Sequence, residues 1–237
     1  MYIDYATLET CATATGSVVV IDVWRSFTTT AYAFAAGAQD ILVVASADEA
    51  LALHSRFPMA LLMGLGELGG KPAAGFDCGN SPAELRECDL HGRRMIQCTP
   101  NGTPGLVRSV NAQTLMAGSF VCAEATVRYL QRLATEQVTF VCTEEGIADR
   151  SCAEYMAALL RDEKPEADVL LENIRTAWRE QAHTLLERGV LTEARKDRLK
   201  ADLDCCLALD RFDFAMEVQR RNGFLVMKAA AALDTVQ

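Results

Sequence analysis

The sequence predicts an α/β fold, with helices layered on both faces of a largely parallel or mixed sheet. Three observations predict it. Short β-branched runs alternate with helix-prone segments along most of the chain. Ser and Thr residues stand ahead of helical segments with Pro or Glu at capping distances. Half of the 237 residues are hydrophobic, and no shift in composition marks a linker, so residues 1–237 read as one domain or two closely joined subdomains.

The run VVVIDV, Val18 to Val23, is too short for a helix and suits a strand buried on both faces. RSFTTTAYAFAAGA follows, where Ser26 or a following Thr is placed to cap a helix that ends at Gly37. Ile41 to Val44 is the next strand. SADE, Ser46 to Glu49, has capping-box spacing and opens a helix that stops before Pro58. Ala60 to Met63 is a third strand. The passage from Gly64 to Asn80 holds six glycines in 17 residues, a length of loop that is usually functional or disordered; Phe76 and the SPAE start at Ser81 favour an ordered one.

Arg94 to Cys98 is a further strand and runs into TPNGTPG, a bend tightly specified by Pro, Gly and Asn. Thr103 with Pro104 repeats the cap-plus-proline arrangement and starts another helix. Thr114 to Ala117, a helix from about Ala123 to Ala134, strand Val138 to Cys142 and helix Asp149 to Leu160 continue the alternation. Residues 161–204 are charged and helix-prone, and FDFAMEV and GFLVMK, around Phe212 and Phe224, read as late strands that close the sheet. Two passages, starting at Val18 and Arg93, share the order strand, polar bend, helix, strand, helix. This fits a duplicated βαβα unit as well as plain α/β regularity.

A formal charge of −9 argues against nucleic acid as a partner. No apolar run nears the roughly 20 residues that cross a bilayer, and MYIDYATLET has no signal-peptide character, so no membrane partner and a cytoplasmic location are expected. Nine cysteines, an odd number and mostly inside apolar segments, suit a reducing compartment and buried thiols better than a disulfide framework. Cys205 and Cys206 lack a second ligand pair and the histidines are scattered at 54, 91 and 183, which argues against zinc. A homo-oligomer is left open.

In open parallel sheets, ligands bind beyond the carboxyl ends of the strands. The polar residues gather at four such ends: Asp22 and Arg25; Glu67, Lys71, Asp77 and Asn80; Thr99, Asn101 and Thr103; Glu144, Glu145 and Asp149. Carboxylates that hold magnesium, an arginine and backbone amides at a Gly-rich bend are what phosphate handling needs. The plain alternatives are a cap for Asp22, an ion-pair partner in Arg25, a helix N-cap in Asp149 and a core thiol in Cys98.

Taken in series, IDVWRSFTTT (Ile21 to Thr30), GELGG with GFDCGNSPAE (Gly66 to Glu84), TPNGT (Thr99 to Thr103), ADRSCA (Ala148 to Ala153) and LALDRFD (Leu207 to Asp213) resemble the 2-phosphosulfolactate phosphatase family of magnesium-dependent α/β phosphatases, associated with coenzyme M biosynthesis. The resemblance implies hydrolysis of a small phosphorylated hydroxy acid with Mg2+ as cofactor. It assigns catalysis to Asp22, Arg25 and Asn101, substrate binding to Asn80, Ser81, Thr99, Gly102 and Thr103, and the metal to Glu67, Asp77 and Asp149. Asp22 would be a nucleophile, or a metal ligand and base. The family pattern has Arg where this chain has Leu68 and Pro104, and Glu where it has Ala148. These departures shift the expected substrate away from doubly anionic sulfonates, and they support an alternative reading in which the chain binds an anionic metabolite without turnover.

Overall fold

A computed structural model describes residues 1–231 and shows one mixed sheet of nine strands among them. The strands are β1 (Tyr2–Thr7), β2 (Ser17–Ile21), β3 (Asp40–Val43), β4 (Leu61–Met63), β5 (Arg94–Gln97), β6 (Thr114–Gly118), β7 (Gln137–Cys142), β8 (Phe214–Arg221) and β9 (Phe224–Ala231). Their order is β1-β7-β2-β6-β8-β9-β3-β5-β4. The pairs among β1, β7, β2 and β6 are parallel, as are those among β3, β5 and β4. The antiparallel hairpin β8–β9 joins these two blocks, pairing β6 on one side and β3 on the other.

Two features correct the expectations. The late strands do not close an edge; they fill the middle of the sheet. Their turn is Asn222–Gly223, with φ of 51° and 81°, the left-handed pair that a tight hairpin requires. And β1, which the pattern reading passed over, forms an edge. In YIDYAT, half-buried Ile3 and Tyr5 alternate with exposed Tyr2 and Asp4, the start of the alternation of a strand solvated on one face.

The helices are α1 (Ser26–Ala35), α2 (Ala47–Arg56), α3 (Pro82–Leu85), α4 (Gly102–Arg108), α5 (Ala123–Arg132), α6 (Ile147–Leu160), α7 (Ala167–Glu187) and α8 (Glu193–Cys206). Alternate strand residues sort them into layers. Val18 and Val20 face one side with Phe27 and Ala31 of α1, Leu85 of α3 and Leu106 of α4. Val19 and Ile21 face the other side with residues of α5, α6 and α7, while Leu42, Leu62 and Ile96 meet Ala50 and Leu53 of α2 there. The Ser46 and Ser81 caps form as the sequence predicts, each accepting from the amide of the Glu three residues on.

Helices α1 and α4 cross between the blocks. The first leads from β2 to β3 and the second from β5 to β6. Thr30 of α1 donates to the Gln97 side chain of β5, and Gly105 of α4 lies against Val20 of β2. The amino ends of the two crossing helices therefore meet near the centre of the molecule.

Candidate active site

Asp22 follows β2 directly and is 3% exposed. Its Oδ1 accepts from the Ser26 amide at 3.1 Å and its carbonyl accepts from Phe27, so the cap of α1 comes from Asp22 rather than from Ser26 or a threonine. The other carboxylate oxygen faces Gly102, where a Cβ would lie 2.7 Å from Asp22 Oδ2 and 2.7 Å from Ser26 Oγ. Only glycine allows this approach of α4. Burial holds the Asp22 carboxyl well above the usual range; the nearby Asp149 and Glu144 charges push the same way, against the Ser26 and Gly102 amides.

The other two carboxylates come from the segment after β7. Asp149, 2% exposed in the first turn of α6, accepts from the Val23 amide at 2.9 Å and from the amides of Thr143 and Glu144 at 3.0 and 3.1 Å. It therefore ties the ends of β2 and β7 together. Burial raises its pKa against these amide bonds, and the Glu144 charge adds to the rise. Glu144 accepts from Asn101 Nδ2 at 3.0 Å; burial raises it too, while Asn101 and Arg25 oppose.

Arg25 supplies the positive charge. Its Nη1 donates to Asp202 Oδ2 at 2.7 Å, and the side chains are 10% and 1% exposed. The second oxygen of Asp202 accepts from Ser81 Oγ at 2.5 Å and from the Ala83 amide at 3.3 Å. Asp202, on α8, thus fixes both a candidate catalytic group and the start of α3. Sequence reading missed it because it sits in a charged helix 177 residues from Arg25.

The bend after β5 is closed by its own threonines. The Thr99 amide donates to Thr103 Oγ1 and the Thr103 amide to Thr99 Oγ1, at 2.9 and 3.2 Å, and Thr99 Oγ1 also bonds Ser26 Oγ at 3.1 Å. Thr103 is therefore not the helix cap: α4 starts at Gly102 with Asn101 in the cap position. That start delivers the Asn101 amide group to Glu144 and the Gly102 backbone to Asp22.

Asp22, Arg25, Asn101, Gly102, Thr99, Thr103 and Asp149 thus come together, with Ser81 attached through Asp202. Asn80 precedes Ser81, and its Oδ1 is buried with no hydrogen-bond partner among the described residues. Glu67 and Asp77 are engaged elsewhere. Glu67 pairs with Arg195 of α8, and Asp77 accepts from the Leu62 amide at 2.8 Å. Glu67, Asp77 and Asp149 are not gathered into a ligand set. Among the described residues no three acidic, His or Cys side chains surround one point that could hold a metal ion. Magnesium, however, is commonly bound by one or two carboxylates plus phosphate and water. Asp22 and Glu144 fit that use: they are neighbouring hard oxygen donors, one buried and one half-buried, and their mutual charge repulsion is unfavourable until a proton or cation offsets it. Cys98 is buried beside the bend, its thiol pushed up to about 11 by burial, and all nine cysteines are free. No helix among the described residues is long and apolar enough to cross a membrane.

A sequence model of the 2-phosphosulpholactate phosphatase family matches residues 4–221. Similar proteins carry the name "probable 2-phosphosulfolactate phosphatase". The one from Carboxydothermus hydrogenoformans is 35% identical over 90% of this chain and 91% of its own. That from Caldicellulosiruptor saccharolyticus is 31% identical over 84% and 87%, and that from Synechocystis 32% over 82% and 86%.

Proposed function

Because the chain belongs to the 2-phosphosulpholactate phosphatase family, we propose that it is a phosphoric monoester hydrolase that acts with magnesium on a small phosphorylated hydroxy acid of the kind named for its relatives. The observation that carries this reading is the clustering of buried Asp22 and Asp149 with half-buried Glu144 beside an arginine that is itself held by a fourth carboxylate.

Asp22 and Glu144 would hold the ion, with Asp149 behind them. When bound, magnesium supplies charge neutralisation and Lewis acidity toward the phosphoryl oxygens. The chain's own groups do the rest. Arg25, anchored through Nη1, keeps its remaining N–H groups for equatorial phosphoryl oxygens, where charge spreads in the transition state. Asp202 prevents the guanidinium from collapsing onto Glu144 or Asp22. The carboxylate of Asp22 stands at the amino ends of α1 and α4, where it attacks phosphorus or takes the proton of an attacking water. Asn101 orients Glu144 through its amide.

Hydrolysis of p-nitrophenyl phosphate with and without added magnesium tests the reading. Magnesium-dependent release of nitrophenol is expected. Saturable binding of a phosphorylated acid with no release of phosphate would instead select the reading in which the chain binds without turnover.

A further inference from the structure

A cavity of about 290 Å³ opens beside the phosphate site and shares Glu144 with it. Its floor is Val23, Cys206 and Leu207, all buried. Its walls include Trp24, Ile147 and Trp178, with Gln181 as the one uncharged polar side chain. Trp24 and Trp178 are the only two tryptophans of the chain. Among the described residues no Lys or Arg lines the cavity, and its single charged group is the Glu144 carboxylate. The Arg25 guanidinium lies over the Trp24 ring, 5.7 Å from its centroid. Trp24 thus touches Arg25 and lines a mostly apolar chamber, and Glu144 likewise belongs to both the phosphate site and the chamber.

We propose that this chamber receives the substituent carried next to the phosphorylated carbon of the substrate, and that this substituent is uncharged and apolar, of aromatic or branched-alkyl size. The inference rests on the phosphatase reading and narrows its substrate class. The size fits: an apolar cavity of about 150 Å³ holds a benzene molecule, so this one accepts a ring with its linking methylene. The charge argues in the same direction. A sulfonate placed here would be desolvated against indole and aliphatic groups, with no Lys or Arg among the lining residues to pair with it, while the ion held at Glu144 is engaged by the phosphate. A ring would lie against Trp24 and Trp178 with its edges or faces in aromatic contact. The expected substrate class is thus a 2-phosphorylated hydroxy acid with an apolar group at carbon 3, in place of the sulfonate named for the relatives.

The test compares 2-phospho-3-phenyllactate with 2-phosphosulfolactate, which share phosphate and carboxylate and differ at carbon 3. The phenyl compound should be turned over with kcat/KM at least about tenfold higher, since one fully used apolar pocket is worth about one to two powers of ten in discrimination. A higher kcat/KM for phosphosulfolactate overturns the proposal. Tryptophan emission gives a readout independent of turnover. In Trp24→Phe the only indole is Trp178, away from Arg25, and phospho-phenyllactate should change its emission saturably while inorganic phosphate leaves it unchanged. Equal responses to the two probes, or none to the phenyl compound, overturn the proposal. Should neither ester be hydrolysed, the phosphatase reading fails, and the emission titration, run on Trp24→Tyr if the phenylalanine variant does not fold, still decides whether the chamber binds the ring. Trp178→Ala should lower the phenyl-to-sulfo ratio of kcat/KM about tenfold; an unchanged ratio counts against the chamber.

Discussion

Replacement of Asp202 should damage both stability and catalysis although the residue touches no substrate. In the folded chain it is 1% exposed and makes three hydrogen bonds: to Arg25 at 2.7 Å, to Ser81 Oγ at 2.5 Å and to the Ala83 amide at 3.3 Å. Asp202→Ala leaves a buried guanidinium without its anion and frees the cap region of α3. Breaking a buried pair in this way costs about 3–5 kcal/mol. Asp202→Asn keeps the shape and one acceptor but loses the charge, so it forfeits the charge assistance of the Arg25 bond, about 1.5–3 kcal/mol. Urea denaturation should show these losses as a lower midpoint at constant slope. Kinetics separate positioning from mere weakening of the fold. With Arg25 released, the asparagine variant should lose about 10²-fold in kcat/KM at a temperature where it is fully folded, because a misplacement near 1 Å can cost that much. An asparagine variant with wild-type kcat/KM would show that Asp202 does not position Arg25, whatever its effect on the midpoint.

Asp22→Asn should lower kcat by about 10²–10⁴-fold, the usual worth of a positioned base or acid. It should not lower the denaturation midpoint of the metal-free chain, since burial and neighbouring carboxylates already disfavour the ionised form; wild-type turnover would make Asp22 a structural cap only. Gly102→Ala puts a methyl group within 2.7 Å of Asp22 Oδ2 and 3.0 Å of the Phe27 ring. Overpacking of this kind costs about 1–3 kcal/mol, so a midpoint equal to wild type would show that α4 does not pack as described. Excess chelator should abolish phosphate release, and added magnesium should restore it; full activity in chelator would remove the metal from the mechanism.

The alternation of strands and helices was readable because each unit carries its own start and stop signals, as at Ser46 with Glu49 and Ser81 with Pro82. Asp22, Arg25, Asn101 and Asp149 were readable as polar residues at strand ends, and the structure gathers all four. What escaped was non-local. Nothing near Asp202 distinguishes it from the solvated charges around it in α8; its meaning comes from Arg25 and Ser81, far away in the chain. Thr103 looked like a cap because Pro104 follows it, but the threonine exchange with Thr99 sets the helix start two residues earlier than that pattern requires. The Asn222–Gly223 turn accounts for the hairpin, yet no local feature reveals that the hairpin lies between β6 and β3. The apolar chamber is assembled from four separate segments, and its tryptophans read only as hydrophobic residues until α7 is laid over β2.

The central position of β8 and β9 bears on how the chain folds. Until those strands arrive, β6 and β3 each present an open edge with unpaired backbone groups, and the two parallel blocks share no sheet hydrogen bond. Open edges of this kind are templates for pairing with other chains. The pairing of β3 with β9 closes a loop of more than 180 residues, as Ile41 meets Met227, so it is among the costlier contacts to form. During synthesis these strands follow all of the other described elements, so the nascent chain would carry both adhesive edges from the completion of β6 until β8 emerges. Slow refolding at high concentration, with aggregation relieved by dilution, is the kinetic counterpart of a sheet whose keystone is laid last.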